Sequence, residues 1–110
     1  MQAARTEAFV GIDLGTTFSA VAYLDPQGRP TTLPNSSGNL ITPSVVLFGE
    51  DGIVVGEEAV QAAALEPERV AECAKRDMGA KHYRKAVGGE RLPPEVISSY
   101  ILRKLKADAE

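Results

Sequence analysis

The sequence predicts an α+β chain: an antiparallel β-meander, then a small sheet flanked by helices. Three observations carry this. Apolar runs of strand length, separated by short polar turns, fill the chain up to Val55. From Gly56 onward, an acid-led stretch of good helix formers replaces them. Near the end, Val96, Ile97, Tyr100, Ile101 and Leu105 recur at helical spacing, so one face of that helix is expected in the core. A chain of 110 residues buries roughly two-thirds of its unfolded surface, enough for one modest core.

Residues 1 to 7 are polar, and the reading is a frayed, disordered N-terminus. A first strand is expected from about Ala8 to Leu14 and a second from about Thr17 to Leu24, the two forming a buried hairpin. Asp25-Pro26-Gln27-Gly28 carries the residues a type I turn favours. Pro30 to Leu33 then completes the meander, and Asn35 to Asn39 is a loop by composition. Ser44 to Phe48 reads as a buried strand, Glu50-Asp51-Gly52 as a hairpin turn and Ile53 to Val55 as its return. Gly56 opens a helix with Glu57 and Glu58 in its first turn, continuing to Leu65. Pro67 breaks it and restarts a short turn through Val70. Residues 71 to 92 show no clear period, and Gly88-Gly89 marks a turn. Pro93-Pro94-Glu95 starts the last helix. It runs to Ala109 without a glycine, asparagine or proline to stop it, so the expectation is a piece of a longer protein.

Composition narrows the function classes. The hydrophobic fraction is 44% and the charged fraction 25%, as in a globular protein. A net charge of -3 leaves no basic stripe for nucleic acid. No apolar run approaches the ~20 residues that span a bilayer, and the N-terminus lacks the apolar core of a signal peptide. A single cysteine, Cys73, cannot staple the chain; it reads as a small buried hydrophobe in a reducing compartment. A cytoplasmic protein without membrane or nucleic-acid partners is expected. His82 has no cluster at metal spacing, and the interrupted basic run Lys81 to Lys85 reads as a solvated face.

The chemistry is concentrated in Val10 to Ser19, V-G-I-D-L-G-T-T-F-S. Between two apolar strands, this turn holds Asp13, Thr16 and Thr17 where an ordinary hairpin needs only Asn-Gly or Asp-Gly. Gly15 lets the backbone approach a ligand, and the N–H groups of Thr16, Thr17 and Phe18 are placed to converge on an anion. Asp13 suits a hydrated magnesium ion, which takes one or two carboxylates plus water and phosphate. The stretch reads as a phosphate loop. It is neither G-x-x-x-x-G-K-[ST] nor G-x-G-x-x-G, neither of which occurs in the chain. D-x-G-T-T between antiparallel strands resembles the turn of actin-like ATPases, sugar kinases and chaperones. Alone, the string also describes a plain glycine turn with satisfied hydroxyls.

Four further segments resemble the seventy-kilodalton heat-shock chaperones. Asn35 to Ser44 is similar to their N-x-x-G-x-R-T-T-P-S, and Val54-Val55-Gly56-Glu57-Glu58-Ala59 to their V-G-x-x-A. Ala74-Lys75-Arg76-Asp77-Met78-Gly79 is similar to their A/I-K-R-L-I-G. Leu92 to Ser98, followed by Ile101 to Lys106, resembles their P-E-E-I-S…I-L-x-K-L-K helix. Order and spacing match from about residue 9 to residue 110.

The resemblance implies the actin-like, ribonuclease H-like ATPase fold. Residues 8 to 39 would begin subdomain IA and residues 40 to 110 would form subdomain IB, without the rest of the nucleotide-binding domain or the substrate-binding domain. It implies ATP or ADP with magnesium as cofactors. Asp13 takes the magnesium-side role through water, and Gly15, Thr16, Thr17 and Phe18 form the phosphate loop. Lys75, by itself readable as a solvated cation after a helix, orients the attacking water. The whole protein would be an ATPase driving binding and release of unfolded polypeptides, with a J-domain co-chaperone and a nucleotide exchange factor. The isolated piece would be nearly inactive, and its uncovered sheet edge could pair with itself.

Three departures stand out. Leu40-Ile41 replace Arg-Thr, Asp77 replaces a leucine, and the stretch from Met78 to Pro93 is short enough to lack a hairpin of subdomain IB. Asp77 is expected to make its segment pack less deeply. The alternatives are a sugar or acetate kinase of the same superfamily, or an interaction module that has lost the chemistry.

Overall fold

A computed structural model describes residues 10–110; the expected frayed residues 1 to 7 and the first two residues of the expected first strand lie outside them. Strands β1 (Val10–Leu14), β2 (Phe18–Leu24) and β3 (Pro30–Leu33) form the meander, in the order β1-β2-β3. The Asp25 turn between β2 and β3 is tightened by its own carboxylate, which accepts from the N–H groups of Gln27 and Arg29 at 2.9 and 2.8 Å. A two-residue strand, β4 (Thr42–Pro43), joins the opening end of β2 through Phe18↔Pro43 and Ser19↔Thr42.

The second sheet has the order β6-β5-β7, all antiparallel: β5 is Val45–Gly49, β6 is Gly52–Val55 and β7 is Val70–Glu72. Period-two alternation divides its residues between two helices. Val45, Leu47 and Val70 face α1 (Glu57–Ala62), where Ala59 is fully buried. Val46, Phe48, Val55 and Ala71 face α2 (Pro94–Ala109), which brings Ile97, Ile101 and Leu105 into the main core beside Val21 of the meander. Helix α2 thus joins both sheets. Phe48 and Tyr100 meet edge to face at 5.7 Å across that layer.

The three meander strands, the Glu50 hairpin and the last helix lie where the pattern predicts them. Three features differ. The β1–β2 hairpin is not buried along β1: Val10 is 51% and Ile12 44% exposed, because no described element covers its outer face. Helix α1 stops at Ala62 rather than Leu65, and tighter turns follow it into Pro67, which disfavours helical backbone at Glu66. Strand β7 lies in the stretch that showed no period. The start of α1 needs Gly56, whose φ of 108° excludes an ordinary side chain.

Candidate functional site

The turn between β1 and β2 is built from its carbonyls outward. Gly15 and Phe18 approach so closely that a Cβ on Gly15 would lie 2.2 Å from the Phe18 carbonyl oxygen. Only glycine fits there, for reasons of contact rather than torsion. The hydroxyl of Ser44, at the β4–β5 junction, donates to the Gly15 carbonyl at 2.9 Å. Its own N–H donates to the Thr17 carbonyl at 2.8 Å. Since the one Ser44 hydroxyl proton is spent on Gly15, the 2.8 Å contact between Ser44 Oγ and Ser19 Oγ has Ser19 as donor. Both serines are buried. The Gly15 and Thr17 carbonyls are therefore occupied, whereas no described residue accepts the N–H of Thr16 or Thr17.

Asp13, near the end of β1, is exposed and forms no ion pair among the described residues. Lys75 arrives from across the structure. It lies in a 3-10 turn, Ala74–Asp77, that directly follows β7, not after a helix as its plain reading had it. Its Nζ donates to the Leu14 carbonyl at 2.7 Å, immediately before Gly15 and across a sequence separation of 61. The two predicted halves of the site thus meet. Alongside the turn runs a groove of about 400 Å³, lined by Thr17, Phe18, Pro43, Glu57, Val60 and Cys73 among others.

The Lys75 turn is held by residues that the sequence reading left on the surface. Cys73, just before it, is the one non-glycine residue with positive φ among those described, at 58°, and is only half-buried. Such backbone costs a non-glycine residue ~1–2 kcal/mol. Beside it, the Tyr83 hydroxyl donates to the Glu72 carbonyl at 2.6 Å and accepts from the Glu72 N–H at 2.9 Å. Arg84 pairs with Asp77 and also donates to the Cys73 carbonyl. The expected solvated face Lys81 to Lys85 holds for its charged residues, all exposed, but Tyr83 is in the core, Arg84 also braces the turn, and Lys85 donates to the Pro67 carbonyl at 3.0 Å. Asp77 makes an ion pair instead of merely packing less deeply.

Titration follows these contacts. The Arg84 side-chain hydrogen bonds hold the Asp77 carboxyl below its ordinary range, against some desolvation, and the same bonds raise Arg84. Burial pushes the Tyr83 phenol upward. Only the lone aromatic at position 83 hinted at this brace in the sequence. Ser19 and Ser44 gave no signal, because a serine in a strand pattern does not reveal its partner.

In the loop where the departing Leu40 and Ile41 stand exposed, Asn35 supplies the polar contacts. It accepts from the N–H groups of Ser37 and Asn39 and donates to the Ile41 carbonyl and the Thr42 hydroxyl. Asn39 donates to Glu57 of α1 at 2.9 Å.

These features define a class of protein: a small α+β frame with a glycine-tight hairpin turn, backbone donors that no described residue claims and a lysine delivered from a turn distant in sequence. Comparison with known proteins narrows it. The sequence model described as Hsp70 protein matches residues 9–88. The chain is 46% identical over 109 residues to the chaperone protein DnaK of Thermotoga neapolitana, covering 98% of this chain. It is 45% identical over 109 residues to the same protein of Thermotoga petrophila, and 42% over 107 residues to that of Thermosipho africanus, which covers 96% of the chain. The chain belongs to the Hsp70 family. It spans 18% of the length of each of these relatives. Among the described residues, no helix is long and apolar enough to cross a membrane.

Proposed function

We propose that the chain is the opening part of an actin-like ATP-binding domain, within a chaperone whose ATP hydrolysis drives binding and release of unfolded polypeptides. Residues 8–39 begin subdomain IA and residues 40–110 form subdomain IB. The observation that carries this reading is the Lys75 ammonium held against the Leu14 carbonyl, in a chain matched by the Hsp70 family over residues 9–88.

The residues present suit a magnesium nucleotide. The Thr16 and Thr17 N–H groups, which no described residue accepts, are donors for phosphate oxygens, and a turn too tight for a Cβ lets them come close. The lone exposed carboxylate of Asp13 suits a metal that keeps most of its waters. Magnesium, when bound, supplies neutralisation of phosphate charge. Gly15 gives the backbone its close approach, and Thr16, Thr17 and Phe18 donate N–H bonds to the β- and γ-phosphate oxygens. Asp13 would hold the metal through one of its waters. Lys75 orients the attacking water and stabilises charge growing on the γ-phosphoryl group. The whole protein works in the cytoplasm with a J-domain co-chaperone and a nucleotide exchange factor.

The chain alone is expected to bind magnesium-ATP weakly and to turn it over negligibly. Amide NMR of the chain during a millimolar titration tests this. Saturable shifts at Thr16, Thr17 and Phe18, lost in Asp13→Ala, support the reading. Shifts confined to other residues, or none, count against a phosphate loop here.

A further inference from the structure

We propose that Arg84 is a positioning residue for Lys75, closing both ends of the turn that carries it onto one guanidinium. This rests on the reading of Lys75 given above. The turn is Ala74–Asp77, with Cys73 as its leading residue. At its far end, Arg84 Nε donates to Asp77 Oδ2 at 3.1 Å and Nη2 to Oδ1 at 3.3 Å, a two-pronged carboxylate contact. The Arg84 backbone N–H adds a third bond to Oδ2 at 2.8 Å. At its near end, Nη2 also donates to the Cys73 carbonyl at 2.8 Å.

Cys73 is where the chain needs such a brace, because its left-handed backbone aims the turn away from β7 and toward β1. The guanidinium also lies over the Tyr83 ring, 5.1 Å from its centre. Tyr83 is itself pinned to both backbone groups of Glu72, one residue before Cys73. The brace is therefore anchored on the core and not only on a surface ion pair, which alone contributes little. Asp77 is what makes it: a leucine at that position could not accept the fork. The planar fork is also why lysine is a poor substitute for Arg84.

The first test needs no turnover. In the 110-residue chain with ¹³C-dimethylated lysines, the modified Lys75 keeps one N–H for Leu14. Arg84→Ala is expected to move its methyl resonance to that of the exposed Lys81; an unmoved resonance overturns the inference whatever the chain's function. The second test is ATP turnover by the full-length protein. Arg84→Ala is expected to lower kcat about tenfold with KM unchanged, Arg84→Lys less so, and neither to lower kcat further in a Lys75→Ala background. A loss that persists in that background, or one that follows a fall in melting temperature across both variants, overturns positioning. Should Lys75→Ala leave turnover intact, the role proposed for Lys75 falls. The NMR result still reports on the brace, so the two failures are distinguishable.

Discussion

Replacing Ser44 with alanine tests the hydroxyl chain beneath the candidate phosphate loop. The substitution removes the 2.9 Å bond to the Gly15 carbonyl and the 2.8 Å bond from Ser19. Each is worth ~1 kcal/mol net, and stranding a half-buried carbonyl and a buried hydroxyl raises the cost to about 2–4 kcal/mol. Against a total of ~5–15 kcal/mol that is a large fraction, equivalent to a fall in melting temperature of roughly 8–16 °C. Urea unfolding followed by circular dichroism measures it. The double variant Ser19→Ala/Ser44→Ala is expected to cost less than the sum of the singles by about 1 kcal/mol, because it deletes the stranded Ser19 hydroxyl. A loss below ~0.5 kcal/mol for Ser44→Ala, within the range of ordinary surface changes, would falsify the chain of bonds. Strict additivity would do the same.

Other consequences are as direct. Gly15→Ala must widen the gap to the Phe18 carbonyl from 2.2 Å to beyond 3.0 Å; opening the turn is expected to abolish magnesium-ATP shifts in the NMR titration, whereas unchanged affinity would refute the close-approach argument. Tyr83→Phe keeps the buried ring but leaves both Glu72 backbone groups without their phenol partner, a cost of ~1–3 kcal/mol by urea unfolding; a neutral outcome would contradict the anchoring role. For Asp77, whose folded pKa is lowered by Arg84, the stabilising contribution is present above the ordinary value of 3.8 and lost as pH falls through the folded value. Asp77→Asn is therefore expected to be less stable than the parent at neutral pH, with the difference closing in acid below about 3.8; a gap that widens on acidification reverses the sign and rejects the assignment.

How much of this was legible in the sequence follows from the reach of each interaction. Strands β2 and β5 and helix α2 were visible because their apolar positions repeat over several residues within one element. Strand β7 has three residues, too few for any period, and takes its place from Val46 and Leu47 opposite. The apolar face of β1 was legible as apolar but not as exposed, since burial depends on what lies over it. At the site, Gly15 and the acid two residues before it were local signals. The approach of Lys75 to Leu14 was not, because no spacing rule links positions 61 apart in the chain; the family resemblance pointed to Lys75 where periodicity could not. Arg84 and Asp77 stayed hidden for a related reason, since charged residues in an irregular stretch look the same solvated or paired.

Lys75, set against the turn after β1, is proposed to stabilise charge growing on the phosphoryl group rather than simply to hold the fold. Single-turnover ATP hydrolysis by the full-length protein with Lys75→Ala measures this most directly. A fall of about 10²–10³-fold in the chemical step is expected, with nucleotide affinity retained and melting temperature unchanged. Hydrolysis at the parent rate would contradict it.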